Sequence, residues 1–399
     1  MRLPISKMAA AVQPSATLAA GAKARKLKSE GKTIHDFSLG EPDFNTPAHI
    51  IEAAHKAMLA GQTHYTPAGG LLEVKTAIAN WYGRTYSLPV APEQVIVSNG
   101  AKHSLHNALA AMVGDGDEVV IPAPYWVSYS DLVQMTGATY KLVHTLESNQ
   151  FKMTAAEFRE AITPKTKLVM LNSPSNPTGS VYSRKELEAL ADVCLEKKIG
   201  VISDEIYEQL IYGDAKATCF ATLRPGLAEQ TITISGVSKT YAMTGWRIGW
   251  AVGPVAIVKA MDTVQSQETS CPSSISQLAT IAALDGDQSC VATMRKEFAV
   301  RRDLVVRRLN AMPGIRCPNP DGAFYAFFNV ASFFGKTISG RLIKNSEEFC
   351  AAALEVGHVN LVQGSAFGME GFVRLSFATS QDALNKGLDR LAAFLRGEL

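Results

Sequence analysis

The sequence predicts an α/β protein: a large domain with a mostly parallel central sheet flanked by helices, and a smaller α+β domain beside it. Three observations predict it. Between residues 72 and 234, short β-branched and apolar runs alternate with amphipathic helical stretches, as in parallel strands joined by crossover helices. Beyond about residue 310 short strands mix with helices without strict alternation. The chain has 399 residues, more than one small core organises, and its 47% hydrophobic and 19% charged residues are those of an ordinary folded protein. We expect an N-terminal arm that shares the small domain at 1–47, a large domain at 48–285 and a small C-terminal domain at 286–399.

The elements follow in order. A helix at 17–28 comes after the turn at Pro14-Ser15. The stretch F-S-L-G-E-P-D-F-N-T-P (37–47) reads as a loop, in which Gly40 either lets backbone approach a ligand or simply turns the chain. A helix at 48–60 leads to a second loop, H-Y-T-P-A-G-G (64–70), which carries Tyr65. Helical spacing then marks 71–82, 101–112, 129–134, 155–162 and 184–197. Strands fall at 94–98, 118–121, 138–144, 167–171, 200–202 and 231–234, and the last enters a small-residue turn at 235–238. Beyond Pro254 one long helical stretch runs to about residue 311. Strands at 323–329 and 372–377 and helices at 346–356 and 383–395 complete the chain.

Composition narrows the function. A formal net charge of +2 gives no electrostatic case for a nucleic-acid partner. No apolar run reaches transmembrane length, so no membrane role is expected. Six cysteines without C-x-x-C spacing read as reduced, cytosolic thiols. The apolar run at 8–12 is too short for a signal peptide, and a cytoplasmic protein is expected. His103 and His106 lie three apart on one helix with no third ligand in view, and read as ordinary helix residues rather than a metal site.

In open parallel sheets, ligands bind outside the carboxyl ends of the strands. After the 94–98 strand, N-G-A-K (99–102) opens a helix; Gly100 and Ala101 leave backbone N–H groups free at a helix N-terminus, which favours an anion. After 118–121 comes P-A-P-Y-W, whose Trp126 either stacks on a flat ring or packs in the core. After 167–171, the turn N-S-P-S-N-P-T-G offers Asn176 as a donor. After 200–202, S-D-E-I-Y presents Asp204, able to hold a pyridinium N–H or to cap a helix. It also presents Tyr207, able to donate to a ring oxygen or to sit half-buried. After 231–234 comes Lys239, with Arg247 further along. An ammonium at the end of an apolar strand is poorly solvated; its lowered pKa makes the amine a nucleophile for a Schiff base. The plain alternative is a lysine that reaches solvent from a turn. An anion cradle, a flat ring, two donors, a carboxylate and a lysine at successive strand ends are the parts that hold pyridoxal 5′-phosphate.

The chain resembles the class I, fold-type I aminotransferases, and within them the bacterial aspartate aminotransferase subgroup. The matching stretches are S-L-G-E-P-D-F-N-T-P (38–47), Y-T-P-A-G-G (65–70), P-Y-W-V-S-Y (124–129), N-S-P-S-N-P-T-G (172–179), S-D-E-I-Y (203–207), S-K-T-Y-A-M-T-G-W-R-I-G (238–249) and V-R-L-S-F-A-T-S (373–380). The resemblance implies an exchange of amino groups between L-aspartate and 2-oxoglutarate, with other donor ranges (aromatic, prephenate, alanine or methionine-type) as the alternative. It implies that Lys239 carries the cofactor and shuttles the proton, that Asp204 pairs with the ring nitrogen, and that Tyr207 and Asn176 meet the ring hydroxyl. Trp126 would stack on the ring, while Gly100, Ala101, Ser238 and Arg247 would bind phosphate. Tyr65 would reach the phosphate in a neighbouring subunit, which implies a homodimer with shared active sites. Arg374 would clamp the substrate α-carboxylate, helped by Asn176 and the Gly40 backbone. Lys102 stands in the cofactor cradle where the subgroup carries a lysine for the distal carboxylate. Gly236 replaces a hydroxyl residue found in many relatives, leaving open which serine meets the phosphate. Gln13 stands where prephenate-accepting relatives tend to have lysine.

Overall fold

The computed structural model describes residues 3–399, so the first two residues of the expected 1–47 arm lie outside the described part. Seven strands build the central sheet: β1 (Val95–Ser98), β2 (Glu118–Ala123), β3 (Thr139–His144), β4 (Thr166–Asn172), β5 (Gly200–Asp204), β6 (Thr231–Gly236) and β7 (Gly249–Val252). Their order is β1-β7-β6-β5-β4-β2-β3. β7 runs antiparallel to both neighbours, and the remaining strands share one direction. The carboxyl ends of β1, β4, β5 and β6 therefore open on the same edge.

Strand periodicity explains how the sheet is covered on both sides. Leu168 and Met170 of β4 face one core with Val119, Ile121, Ile202, Ile232 and Ile234, against Leu105 and Leu109 of the helix Ala101–Met112 and Met261 of Val255–Glu268. Val169 and Leu171 point the other way, into a core with Val120 and Val201 against Phe158, Leu187 and Leu190. Strands buried on both faces read as continuous apolar runs, which is why the sequence marks them well. The helix Arg184–Lys197 starts where predicted because Ser183 and Glu186 form a reciprocal capping box.

A third core joins the C-terminal elements. β8 (Tyr325–Asn329), β9 (Val362–Gln363) and β10 (Phe372–Ser376) form an antiparallel sheet in the order β9-β10-β8, and Arg374 on β10 stands opposite Phe327 and Val362. Phe298, Val305 and Leu309 of the helix Ser289–Asn310 pack there with Leu384, Leu388 and Phe394 of the helix Gln381–Leu395. Tyr207 and Leu210, from the segment after β5, reach into this same core.

Several expectations need correction. The strand before Lys239 does not turn at 235 but continues to Gly236, and Val237–Thr240 is a helical turn. A Cβ on Gly236 would lie 2.9 Å from both the Gly249 Cα and the Ile248 carbonyl oxygen, so the hydroxyl side chain of many relatives has no room here. The single long helix after Pro254 is three helices, Val255–Glu268, Ser274–Asp285 and Ser289–Asn310. They are interrupted at Pro272 and Gly286, the residues least suited to a helix interior. The helix expected at 71–82 spans Leu72–Tyr86 because Trp81, Tyr82 and Tyr86 pack edge-to-face or tilted against one another. β7 was not foreseen: its four residues are too short and uniformly apolar to show a period.

The 64–70 loop is braced by buried amides. Gln265 donates to the Ala68 carbonyl at 2.5 Å and to the Val97 carbonyl at 2.8 Å, while Asn107 donates to Gln265 at 2.8 Å. Gln277 accepts from the Leu71 N–H at 2.8 Å and donates to Thr66 and Pro272. All three amide residues are fully buried.

Gly249 is the tightest junction between sheet and helix. It pairs with Ser98 on one side and Gly236 on the other, and an added Cβ would sit 2.2 Å from the Ala101 nitrogen. Backbone cannot swing aside as a side chain can, so Gly249→Ala is expected to lower folding stability by about 1–3 kcal/mol. A urea midpoint equal to the parent's would show that the helix start can shift freely.

Candidate active site

A cavity of about 240 Å³ opens at the carboxyl edge of the sheet. Gly40, Ala101, Lys102, Trp126, Asn176, Asp204, Tyr207, Ser238, Lys239, Arg247 and Arg374 all line it, so the segments singled out at successive strand ends converge. Gly100 borders it as the cap of the helix Ala101–Met112. Tyr65 is not brought to it: the side chain is 92% exposed on the surface of its own chain.

Lys239 follows β6, and its Nζ donates to the Gly40 carbonyl at 2.6 Å. Burial lowers the amine pKa to about 8; Arg247 and Arg374 push the same way, while Glu41 and Asp204 oppose them. Asp204 ends β5 and is buried, and burial pushes its carboxyl up to about 6. The Tyr129 hydroxyl donates to Asp204 Oδ2 at 2.6 Å and the Ile206 N–H to Oδ1 at 3.3 Å, and both partners favour the charged form. Asn172, the last residue of β4, donates to the Asp204 carbonyl at 2.9 Å and accepts the Asn176 N–H at 2.8 Å, which ties the 172–179 turn to β5.

Arg374 is 1% exposed, yet its charge is only partly met. One terminal nitrogen donates to Asn176 Oδ1 at 2.9 Å and the other to the Ser38 carbonyl at 2.7 Å, while Nε is buried with no partner. The guanidinium lies 4.4 Å from the Tyr325 ring centre and 5.0 Å from that of Phe367. A buried guanidinium with a donor to spare and no carboxylate partner among the described residues is suited to a carboxylate ligand.

The helix Ala101–Met112 begins without a side-chain cap, and its first residues Ala101 and Lys102 line the cavity, so its N-terminus is offered there. Arg247 lies against Gly100 so closely that a Cβ there would be 2.3 Å from a guanidinium nitrogen. Gly100 also has φ +88°, which favours glycine. Lys102 Nζ sits 4.9 Å from the Trp126 ring centre, and burial lowers its pKa, with Arg247 adding to the effect. This end attracts anions.

The family description Aminotransferase class I and II matches residues 32–391. This chain belongs to that family. An aspartate aminotransferase of Geobacillus stearothermophilus is 47% identical over 98% of this chain and 99% of its own length. An aspartate/prephenate aminotransferase of Cereibacter sphaeroides is 46% identical over 98% of this chain and 99% of its own. The crystal structure of the aspartate aminotransferase from Rhizobium meliloti has a TM-score of 0.96 to this fold at 44% identity, covering 99% of each chain.

In this aminotransferase chain the cavity also holds residues that sequence reasoning missed: Thr17, Asn172, Thr244 and Tyr325. Asn172 opens the very turn that drew attention to Asn176. Tyr129, bonded to Asp204 just behind the cavity wall, lies one helical turn beyond Trp126, and that spacing could have found it. Tyr325 carries no such signal, because A-F-Y-A-F-F reads as a plain core strand. The Ser235 hydroxyl donates to Glu208 at 2.7 Å, whereas Ser238 lines the cavity. His103 and His106 both engage the Glu268 carboxylate, at 3.3 and 2.8 Å.

The half-buried lysine sets a pH dependence. Its folded pKa of about 8 lies below the ordinary 10.5, so between those values the unfolded chain holds more protons and stability rises with pH. Below that window the full cost of burying an ammonium is present. In the cofactor-free protein, Lys239→Met is expected to raise stability at neutral pH by about 1–3 kcal/mol and to flatten the rise through the window. Urea midpoints on both sides of it check this; an unchanged slope would mean that another group supplies the rise.

Proposed function

We propose that this protein is a pyridoxal 5′-phosphate-dependent aminotransferase that moves the amino group between L-aspartate and 2-oxoglutarate, as a cytoplasmic homodimer with shared active sites. One observation carries the reading. A pKa-lowered amine and a buried carboxylate line one cavity, between an anion-attracting helix start and an arginine that lacks a carboxylate.

The residues fit the cofactor. The uncapped N-terminus at Gly100 and Ala101, with Ser238 and Arg247, suits a phosphate. Asp204 suits a protonated ring nitrogen, Trp126 a ring face, and Tyr207 and Asn176 the ring hydroxyl. When bound, pyridoxal 5′-phosphate supplies an electron sink for the pair left at the substrate Cα. Asp204 then keeps the positive charge at the ring nitrogen. Arg374 binds the α-carboxylate through its free donor positions and orients the substrate, while the Gly40 carbonyl steers the Lys239 amine. Lys239 Nζ, neutral over part of the physiological range, takes and returns the Cα proton. Closure of the C-terminal elements over the cavity excludes water.

The dicarboxylate preference rests on Lys102, whose ammonium reaches the cavity beside Trp126. Gln13 is uncharged where relatives that accept prephenate tend to have lysine, which weighs toward aspartate. Tyr65, exposed on its own chain and near the exposed apolar Ile51, Leu59 and Leu72 in sequence, supports a second copy of this chain contributing to the site. We also propose the division at 1–47, 48–285 and 286–399. It is supported by the parallel pairing of His35–Asp36 with Val359–Asn360, which ties the N-terminal segment to the C-terminal elements.

Two measurements test this. Lys239→Ala is expected to lose at least about a hundredfold in turnover with aspartate and 2-oxoglutarate; full retained activity would refute the assignment. Across a panel of amino donors, Lys102→Ala is expected to reduce kcat/KM for aspartate roughly tenfold or more, with smaller losses for alanine and phenylalanine. Equal losses would remove Lys102 as the source of selectivity.

A further inference from the structure

We propose that Tyr325 is a positioning residue whose hydroxyl fixes the direction of the Tyr207 proton toward the cavity, while its ring braces Arg374, so that one side chain supports both the phenol and the carboxylate clamp. The inference rests on the function proposed above and deepens it.

The two hydroxyls lie 2.8 Å apart, both buried, and each has a single proton. Tyr325 has no other hydrogen-bond partner among the described residues. Its surroundings are the Arg374 guanidinium, which accepts nothing, and the Cα side of Gly40, where a built Cβ would lie 2.7 Å from the hydroxyl. Its one protein acceptor among the described residues is the Tyr207 oxygen, and in the proposed arrangement Tyr325 donates to it. With Tyr325 donating, the Tyr207 proton is released from the pair and faces the cavity that Tyr207 lines. The other charged groups do not compete for it. Asp204 is engaged by Tyr129 and the Ile206 N–H, and Lys239 by the Gly40 carbonyl. Arg374 can only donate.

The ring does the second task. β8 and β10 pair so that Tyr325 stands opposite Ser376, two residues along from Arg374, and the Tyr325 ring lies 4.4 Å from the guanidinium carbon. Residues two apart on a strand share a face, so the strand register that places the hydroxyl also places the stack.

A hydrogen bond donated to an anionic ring oxygen favours the anion, so its weakening raises the pH at which the visible band of the loaded protein changes. The test is a pH titration of that band in holoprotein. Tyr325→Phe, which keeps the ring, is expected to raise the midpoint by about 0.5–1, and Tyr207→Phe to raise it further. The double variant should match Tyr207→Phe alone, because the two hydroxyls act as one unit. KM for aspartate should stay within about twofold in Tyr325→Phe and rise at least about fivefold in Tyr325→Leu, where the stack on Arg374 is lost. A Tyr325→Phe midpoint equal to wild type, or shifts that add in full in the double variant, would overturn the inference while leaving the proposed function standing. A wild-type band that does not change with pH would overturn the inference alone; a protein that shows no cofactor band would overturn that function, and the inference with it.

Discussion

An amine and a carboxyl line one cavity, and burial drives each toward its neutral form. The Lys239 amine falls to about 8 and the Asp204 carboxyl rises to about 6, so both change charge close to neutrality. The rest of the site answers this constraint. Tyr129 and the Ile206 N–H hold Asp204 toward its anion, and the Gly40 carbonyl gives the Lys239 ammonium an acceptor. The sheet creates the situation in the first place: strands running one way end on one edge, and residues far apart in the chain meet there.

The same burial extends behind the cavity. Glu205 and Glu208 follow Asp204 within a few residues, and burial pushes their carboxyls up to about 7 and about 8. Glu208 accepts from Ser235 and Tyr86, and Glu205 from Ser203 and the Phe220 N–H. Burial favours the neutral form of both acids, which lessens the crowding of Asp204 by further anions. Three acids in five residues thus have separate environments, set by which face of the chain each one meets.

Much of this was legible in the sequence, for physical reasons. Strands covered on both sides must be apolar throughout, so β2, β4, β5 and β6 stood out, and the residues after β1, β2, β4, β5 and β6 named most of the cavity wall. The helices Ala101–Met112 and Arg184–Lys197 were bounded correctly, the second by its capping box. β7 escaped because four apolar residues show no period, although it presses Gly249 against the helix start. Tyr325 escaped because its task depends on register between two strands distant in sequence, which spacing within one strand does not encode. The broken helical stretch after Pro254 escaped because amphipathic spacing persists across Pro272 and Gly286, and only local backbone preference marks the breaks.

The amides under the 64–70 loop differ in kind from the groups they stand behind. Asn107, Gln265 and Gln277 carry no ionisable proton, and their bonds look the same in mild acid as in mild alkali. The catalytic wall gains and loses charge across a narrow span of acidity, while the bracket under the neighbouring loop is indifferent to it. A protein built this way can let its reactive centre respond to its surroundings without the frame responding too.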